Sequence, residues 1–370
     1  MRVIVTGGGT GGHIYPAMAI AKGLLARYND VEVLYVGTKE GMEAKIVPAG
    51  GLDFHGIAGK GLPRKISVET FRTVGQNVLA LWQAKQIIKR FKPDVVVGAG
   101  GYVSGPVVLT AAFFGIPTLL HEQNAFPGIT NKILARMVKK IMLTFPESAA
   151  YFPSQQHKIE VVGLPVREEI GRIKRQEGAA AFKLDPSKKT ILVTGGSRGA
   201  LSINKAMIHV LTELAAHPEI QVIWATGRAT HAQIIEDLDK SELNWRCEQW
   251  RIVEYIENMP QALACSDLCV CRAGAATLAE LSAAGKASIL IPYPFAAENH
   301  QEYNARVFAD RGAARVILDK ELDGPLLGDN IQKIIFNTFL LEQMAARAKE
   351  IFEPGALDRI LNLCQQTAWK

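Results

Sequence analysis

Residues 2–25 read RVIVTGGGTGGHIYPAMAIAKGLL, and residues 190–214 read TILVTGGSRGALSINKAMIHVLTEL. Each stretch passes from a short β-rich strand through a glycine loop into a helix, the first with apolar positions Ile14, Met18, Ile20, Leu24 and Leu25. The same unit occurring twice points to a duplicated α/β architecture. The runs around them agree: Arg2 to Thr6, Val31 to Val36, Val95 to Gly98, Thr118 to His121 and Lys140 to Thr144 read as strands in the first half. Thr190 to Thr194, Gln221 to Ala225, Arg251 to Glu254, Leu268 to Cys271 and Ala287 to Ile291 repeat the rhythm in the second. Near-continuous Val, Ile and Leu runs, without apolar–polar alternation, indicate strands buried on both faces, as in parallel sheets covered by helices.

The chain has 370 residues, more than one hydrophobic core usually organises, so two domains are expected. The boundary falls in VVGLPVR (161–167) and the charged GRIKRQEG behind it, which carry Gly and Pro punctuation and no periodicity. The expected domains are 1–163 and 164–352. Pro354 and Gly355 then break the helical pattern, so a last helix at about 353–370 is expected to leave the second domain and pack on the first.

Hydrophobic residues at 48% and charged residues at 21% exclude a disordered chain, and a net charge of +6 favours anionic partners without naming one. Five cysteines without a Cys-x-x-Cys pair argue against a zinc site or a disulfide framework, and fit a reducing compartment. The apolar run at the N-terminus ends at glycine after five residues, and nowhere do 18 apolar residues follow one another. A cytosolic protein is expected, or one resting on a membrane from that side.

Gly7, Gly8, Gly9, Gly11 and Gly12 lie between strand and helix, where open amides and the positive end of the helix dipole attract a phosphate. Gly7-x-Gly9-x-x-Gly12 also satisfies the dinucleotide fingerprint. That fold requires an acidic residue ending the second strand, and VEVLYVGT ends at Gly37 and Thr38. A Walker loop fails for lack of Gly-Lys-Ser/Thr. GAGGYVSG (98–105) and GGSRGA (195–200) repeat the strand-then-glycine arrangement, so ligands are expected to bridge a cleft between the halves.

GGTGGHIYPAMAIA, GAGGYVSGP, LLHEQNAFPGITNK, GGSRGA, YIENMPQALACSDLCVCRAGAATLAEL and NHQEYNA resemble, in order and over nearly the whole chain, the motifs of the MurG family of glycosyltransferase family 28. The resemblance implies a GT-B fold, two Rossmann-like domains with parallel sheets facing across a deep cleft. It also implies inverting transfer of N-acetylglucosamine from UDP-GlcNAc to lipid I at the cytoplasmic membrane face, forming lipid II in peptidoglycan synthesis. Thr10, Gly11 and Gly12 resemble first-loop contacts to the donor sugar and diphosphate, Asn124 a donor-sugar contact, and Arg167 and Ser197 diphosphate-side contacts. Ile256 is similar to the residue whose backbone meets uracil. Ala275, Ala276, Thr277, Leu278, Ala279 and Glu280 resemble the loop and helix start around the nucleoside, with Glu280 on the ribose hydroxyls, and Gln301 matches a sugar-binding glutamine. Tyr102 is taken as acceptor-facing. The chain departs from the pattern at Arg198, where glutamine also occurs, and by one apparent extra residue in PYPFAAENHQ.

The residue chemistry runs alongside. A carboxylate accepts two hydrogen bonds from a vicinal diol, which suits Glu280 to ribose, although a solvated helix carboxylate reads the same way. Arg167 can pair with a phosphate or be a surface charge, and Asn124 can hold a sugar or cap the turn before Pro127. His13 directly follows the first loop and is the first choice of base for the acceptor hydroxyl, with a capping or phosphate-side donor as its other reading; Glu122 is the second choice. No metal or cofactor is required, and the only Asp-x-Asp, Asp237 to Asp239, lies in a helical stretch. Another UDP-sugar enzyme on the same scaffold, such as an epimerase or a glycolipid transferase, and a non-catalytic UDP-sugar sensor remain the rival functions.

Between Lys60 and Lys92 eight basic residues, Arg64 and Lys65 among them, face one acidic residue, Glu69. Val68, Phe71, Val74, Val78, Leu81 and Trp82 recur there at helical spacing, as a core stripe or as an interfacial surface on an anionic bilayer with Phe71 and Trp82 in the headgroups. Other cell-wall or division proteins are a further implied class of partner; nucleic acid is not expected.

Overall fold

Val3, Ile4 and Val5 are completely buried, which consecutive residues of a strand achieve only when helices cover both faces of the sheet. The computed structural model, which describes residues 1–61 and 68–369, contains two such sheets. The chain divides into one unit of Met1–Pro165 with Glu353–Lys370 and another of Val166–Phe352.

The first unit carries β1 (Arg2–Thr6), β2 (Glu32–Thr38), β3 (Phe54–Ile57), β4 (Val95–Gly98), β5 (Thr118–Glu122), β6 (Lys140–Leu143) and β7 (Ile159–Val161). They pair in parallel in the order β3-β2-β1-β4-β5-β6-β7. The second carries β8 (Lys189–Thr194), β9 (Ile220–Ala225), β10 (Trp250–Val253), β11 (Leu268–Cys271), β12 (Ala287–Leu290) and β13 (Ala314–Val316), parallel in the order β10-β9-β8-β11-β12-β13. Strands β3, β7 and β13 were not legible in the sequence. Each has three or four residues at a sheet edge, where the neighbouring strand and not its own apolar run makes it extended.

The pleat sorts the core. In the first unit Val3, Val5, Val95, Val97 and Leu119 pack with Ile14 and Leu24 of the helix Gly11–Arg27 on one face. Ile4, Val36, Val96 and Leu120 meet Ala84 and Ile88 of the helix Val68–Phe91 on the other. The final helix, Ala356–Ala368, adds Ile360, Leu361 and Cys364 to the first of these clusters. Arg359 fastens it by donating to Val162 O at 2.9 Å and Glu353 Oε2 at 3.0 Å. In the second unit Ile191, Val193, Val222, Trp224 and Val270 form the core with the helices Leu201–Leu214 and Gly324–Ile335.

The reading of the helical stripe as a core face does not hold at Val74, Val78 and Trp82. Ala80, Ala84, Ile87 and Ile88 face the sheet, whereas Val74, Val78, Leu79 and Trp82 are exposed. Arg64 and Lys65, and the Phe71 side chain, lie outside the described residues.

Both sheets reverse their strand order between two inner strands, β1 and β4 in one and β8 and β11 in the other, the place where open α/β sheets receive ligands at their carboxyl ends. The glycine loops follow β1, β4 and β8, and the CRAG turn follows β11.

Candidate functional site

At the switch point of the first sheet, two loops touch through their backbones. Gly101 has φ +80°, and a Cβ there would stand 2.2 Å from Gly8 O. The first loop is held from outside as well. The Tyr35 hydroxyl donates to Gly7 O at 2.7 Å, and the buried Glu43 carboxyl accepts from Gly9 N at 3.3 Å and from Thr38 N and Oγ1 at 3.0 and 2.6 Å. Part of the anion-binding capacity read into this loop is therefore used by the chain's own Glu43. Thr10 is exposed and extended, starts the helix Gly11–Arg27 without a side-chain cap, and leaves the Gly11 and Gly12 amides at the positive end of the helix. The Tyr102 ring lies over Gly9.

His13 is half-buried, with Nδ1 2.9 Å from Gln123 Oε1 and 3.1 Å from Ala99 O. Burial pulls its pKa below the usual histidine value, opposed by those two hydrogen bonds. Next to it, His121 is completely buried; its Nε2 is 3.0 Å from Gly163 O, and desolvation lowers its pKa to about 4. Both rings are therefore neutral near pH 7.

Glu122 points to the opposite side of β5 and is 1% exposed. One oxygen accepts from Asn124 N and Nδ2 at 2.9 and 3.3 Å, the other from Gly128 N at 3.2 Å and Asn131 Nδ2 at 2.7 Å. Burial raises its pKa against these four donors. A carboxyl so engaged, expected from the sequence as the second choice of base, clamps the loop from Asn124 to Gly128. Asn124 is held in the same clamp, and its carbonyl accepts from Ser148 Oγ at 2.8 Å.

In the second unit the β8 and β9 loops also meet backbone to backbone. Gly199 has φ +84°, and a Cβ there would stand 2.2 Å from Thr226 O. This contact leaves Ser197 and Arg198 exposed on the loop. After β11, Gly274 starts the helix Ala275–Ala284 without a side-chain cap, so the Ala275, Ala276 and Thr277 amides have no partner within the helix. The Leu278 side chain is fully buried, its amide donates to Gly274 O at 3.0 Å, and Ala279 is buried as well. Ile256 is also buried, which restricts it to backbone contact.

Glu280 and Arg167 come together. Arg167 Nε and Nη2 both lie 3.1 Å from Glu280 Oε1. Burial raises the Glu280 pKa, and Arg167 opposes this. The two residues read as separate contacts are an ion pair that shares one carboxyl oxygen and leaves Oε2 unused by Arg167. Gln301 accepts from Tyr293 N at 2.9 Å, tying PYPF to the start of the helix His300–Asp310. In the loop between them Glu298 and Asn299 both take left-handed backbone, at φ +54° and +56°.

Asp239 accepts from Trp245 Nε1 and pairs with Arg246 at the end of the helix His231–Asp239. Among the described residues no three His, Cys, Asp or Glu side chains gather as a metal site.

Three residues of the first site were missed in the sequence: Glu43, His121 and Gln123. Strand alternation was the available signal for the last two, because a period of two puts His121 and Gln123 on the side of β5 opposite Glu122. Nothing local marks Glu43, which reaches the glycine loop only through the fold.

Two all-parallel Rossmann-like sheets in one chain, each with glycine loops at its switch point, define the GT-B class. Models of the glycosyltransferase family 28 N-terminal and C-terminal domains match residues 3–143 and 190–360, and the chain belongs to that family. A Desulfitobacterium hafniense (strain Y51) protein named UDP-N-acetylglucosamine--N-acetylmuramyl-(pentapeptide) pyrophosphoryl-undecaprenol N-acetylglucosamine transferase is 60% identical over 370 residues, 100% of both chains. The crystal structure of Acinetobacter baumannii MurG superposes with a TM-score of 0.80 at 29% identity, covering 99% of each chain. A Neisseria meningitidis UDP-GlcNAc 2-epimerase shares the fold at a TM-score of 0.68 and 15% identity, covering 99% of this chain and 100% of its own.

The depressed pKa of His121 has a consequence for stability. Between the unfolded value of about 6.5 and the folded value of about 4 the unfolded chain binds the extra proton, so stability is complete above this window and falls as pH drops through it. Urea unfolding at pH 7 and pH 5 should show a loss of about 2 kcal/mol from this group, absent in His121→Asn. An equal loss in wild type and variant would contradict the assignment.

Proposed function

We propose that this chain transfers N-acetylglucosamine from UDP-GlcNAc to the 4-hydroxyl of the N-acetylmuramic acid of lipid I, forming lipid II. The observation that carries this reading is identity of 60% over the full length with proteins of that name. The acceptor hydroxyl attacks the anomeric carbon from the face opposite UDP, and one displacement inverts the centre. His13, neutral and with Nε2 not engaged by Gln123 or Ala99, takes the hydroxyl proton. In the second unit Glu280 receives the ribose hydroxyls. The Ala275, Ala276 and Thr277 amides, Ser197 and Arg167 meet the diphosphate as its charge grows. Thr10, Gly11, Gly12, Asn124 and Gln301 are assigned to the donor sugar and diphosphate, and the Ile256 backbone to the base. Nothing in this scheme calls on a metal.

Lipid I is membrane-bound, so the enzyme must work at a bilayer surface. Among the described residues no helix is long and apolar enough to cross a membrane. The first unit instead exposes Val78 and Trp82 on one helix, Phe113 on the next and Ile129 and Ile133 on a third, with Trp82 57% and Phe113 83% accessible. Lys85, Lys89 and Arg90 are exposed on the helix of Trp82. Apolar side chains with cations beside them suit an anionic headgroup layer.

Release of UDP from UDP-GlcNAc, dependent on lipid I and yielding lipid II, tests the function; turnover with other acceptors but not lipid I would overturn it. His13→Ala should slow turnover about a hundredfold with UDP affinity nearly unchanged. Lost UDP affinity would make His13 a phosphate-side residue. Glu280→Ala should weaken UDP binding by about tenfold or more in calorimetry, since a hydrogen bond to a charged group is worth ~1.5–3 kcal/mol. Unchanged affinity in the folded variant removes Glu280 from the site. Cosedimentation with anionic vesicles should decrease with salt and with Trp82→Ser combined with Ile133→Ser while UDP binding persists; indifference to all of these places the docking surface elsewhere.

A further inference from the structure

The structure assigns His121 and Gln123 as positioning residues that fix the tautomer of His13, through a directed chain of hydrogen bonds running from Gly163 O to the His13 ring. The inference rests on the reading of His13 as the base.

The direction of every bond follows from its ends. Gly163 O can only accept, so His121 Nε2, 3.0 Å away, carries a proton. Completely buried and neutral, His121 then has a lone pair on Nδ1, which lies 3.3 Å from Gln123 Nε2. The Gln123 amide nitrogen donates there and also to His121 O at 3.1 Å, which fixes the orientation of the amide. Its oxygen, now an acceptor, faces His13 Nδ1 at 2.9 Å, and Ala99 O faces the same nitrogen at 3.1 Å. Two acceptors on Nδ1 require a proton there, and in a neutral ring the lone pair is then on Nε2.

The opposite orientation of Gln123 fails at three points. Its nitrogen would confront a His13 Nδ1 stripped of its proton, leaving Ala99 O without this donor. Its oxygen would confront His121 Nδ1 and demand a doubly protonated, charged ring in a site without exposure. It would also oppose its oxygen to His121 O. An isolated imidazole interchanges its tautomers freely. Here the wrong one, with Nε2 protonated, could not accept the acceptor's proton, so the chain holds the base in its competent form before substrate binds. A Cβ on Gly163 would stand 2.6 Å from Glu353 Cβ and 3.2 Å from Glu353 O, so the far end of the relay is closely packed.

The test uses the full-length protein labelled with 15N histidine, with the His13 signals identified by their loss in His13→Gln. At pH 7 Nδ1 should be protonated and Nε2 not; a proton on Nε2 overturns the inference. Gln123→Glu sets a carboxylate against Nδ1–H and should move the acidic limb of kcat/KM to higher pH by about one unit or more. Gln123→Leu should cost about tenfold or more in kcat with the KM for UDP-GlcNAc within about twofold. His121→Asn, whose Oδ1 can replace Nδ1 as acceptor, should retain more turnover than His121→Ala. An unmoved acidic limb in folded Gln123→Glu overturns the relay even where His13 proves essential. Full turnover by His13→Ala instead sinks the base reading itself, while the 15N result still reports whether the tautomer is held.

Discussion

The first site depends on the contact between two backbones. Gly101 reaches Gly8 so closely that no side chain fits between them, and its positive φ excludes nearly every other residue. This close approach brings the start of the Gly11–Arg27 helix against the loop after β4, so Ala99 O meets His13. From β5, one strand further, Gln123 reaches the same ring. A single methyl group at Gly101 would push the loops apart and break this geometry.

Around that contact, buried polar groups are satisfied largely by one another. Tyr35 and Glu43 hold the first glycine loop, Glu122 clamps the loop that follows β5, and His121 stays neutral because its environment cannot solvate a charge. The loops are ordered by hydrogen bonds of defined direction, which cost little to keep and much to break. Under the proposed displacement, such an arrangement would aim the base before the acceptor arrives.

The duplicated units diverge where their chemistry differs. Both have a strand, a glycine loop and a helix at the switch point, yet only the first places a histidine directly after its loop. In the second, the helix after Gly274 starts without a side-chain cap, and Arg167 pairs with Glu280. Pairing with Arg167 keeps a partly buried carboxyl from being left alone and engages only one of its two oxygens.

The sequence alone determined the α/β class, the two halves, the inner strands and the glycine loops at their carboxyl ends. These are written in local signals: apolar runs of strand length, glycines after them and helical periodicity behind them. His13, Glu280 and Arg167 stand out in the sequence as candidates because motif and residue type coincide there. The edge strands β3, β7 and β13, the clamp role of Glu122, the burial of Leu278 and the outward face of Val78 and Trp82 were decided only by tertiary structure. So were Glu43 on the glycine loop and the chain from Gly163 through His121 and Gln123 to His13. Those contacts join residues tens of positions apart, and whether a polar side chain is a ligand, a clamp or a relay depends on which donors and acceptors the fold sets opposite it.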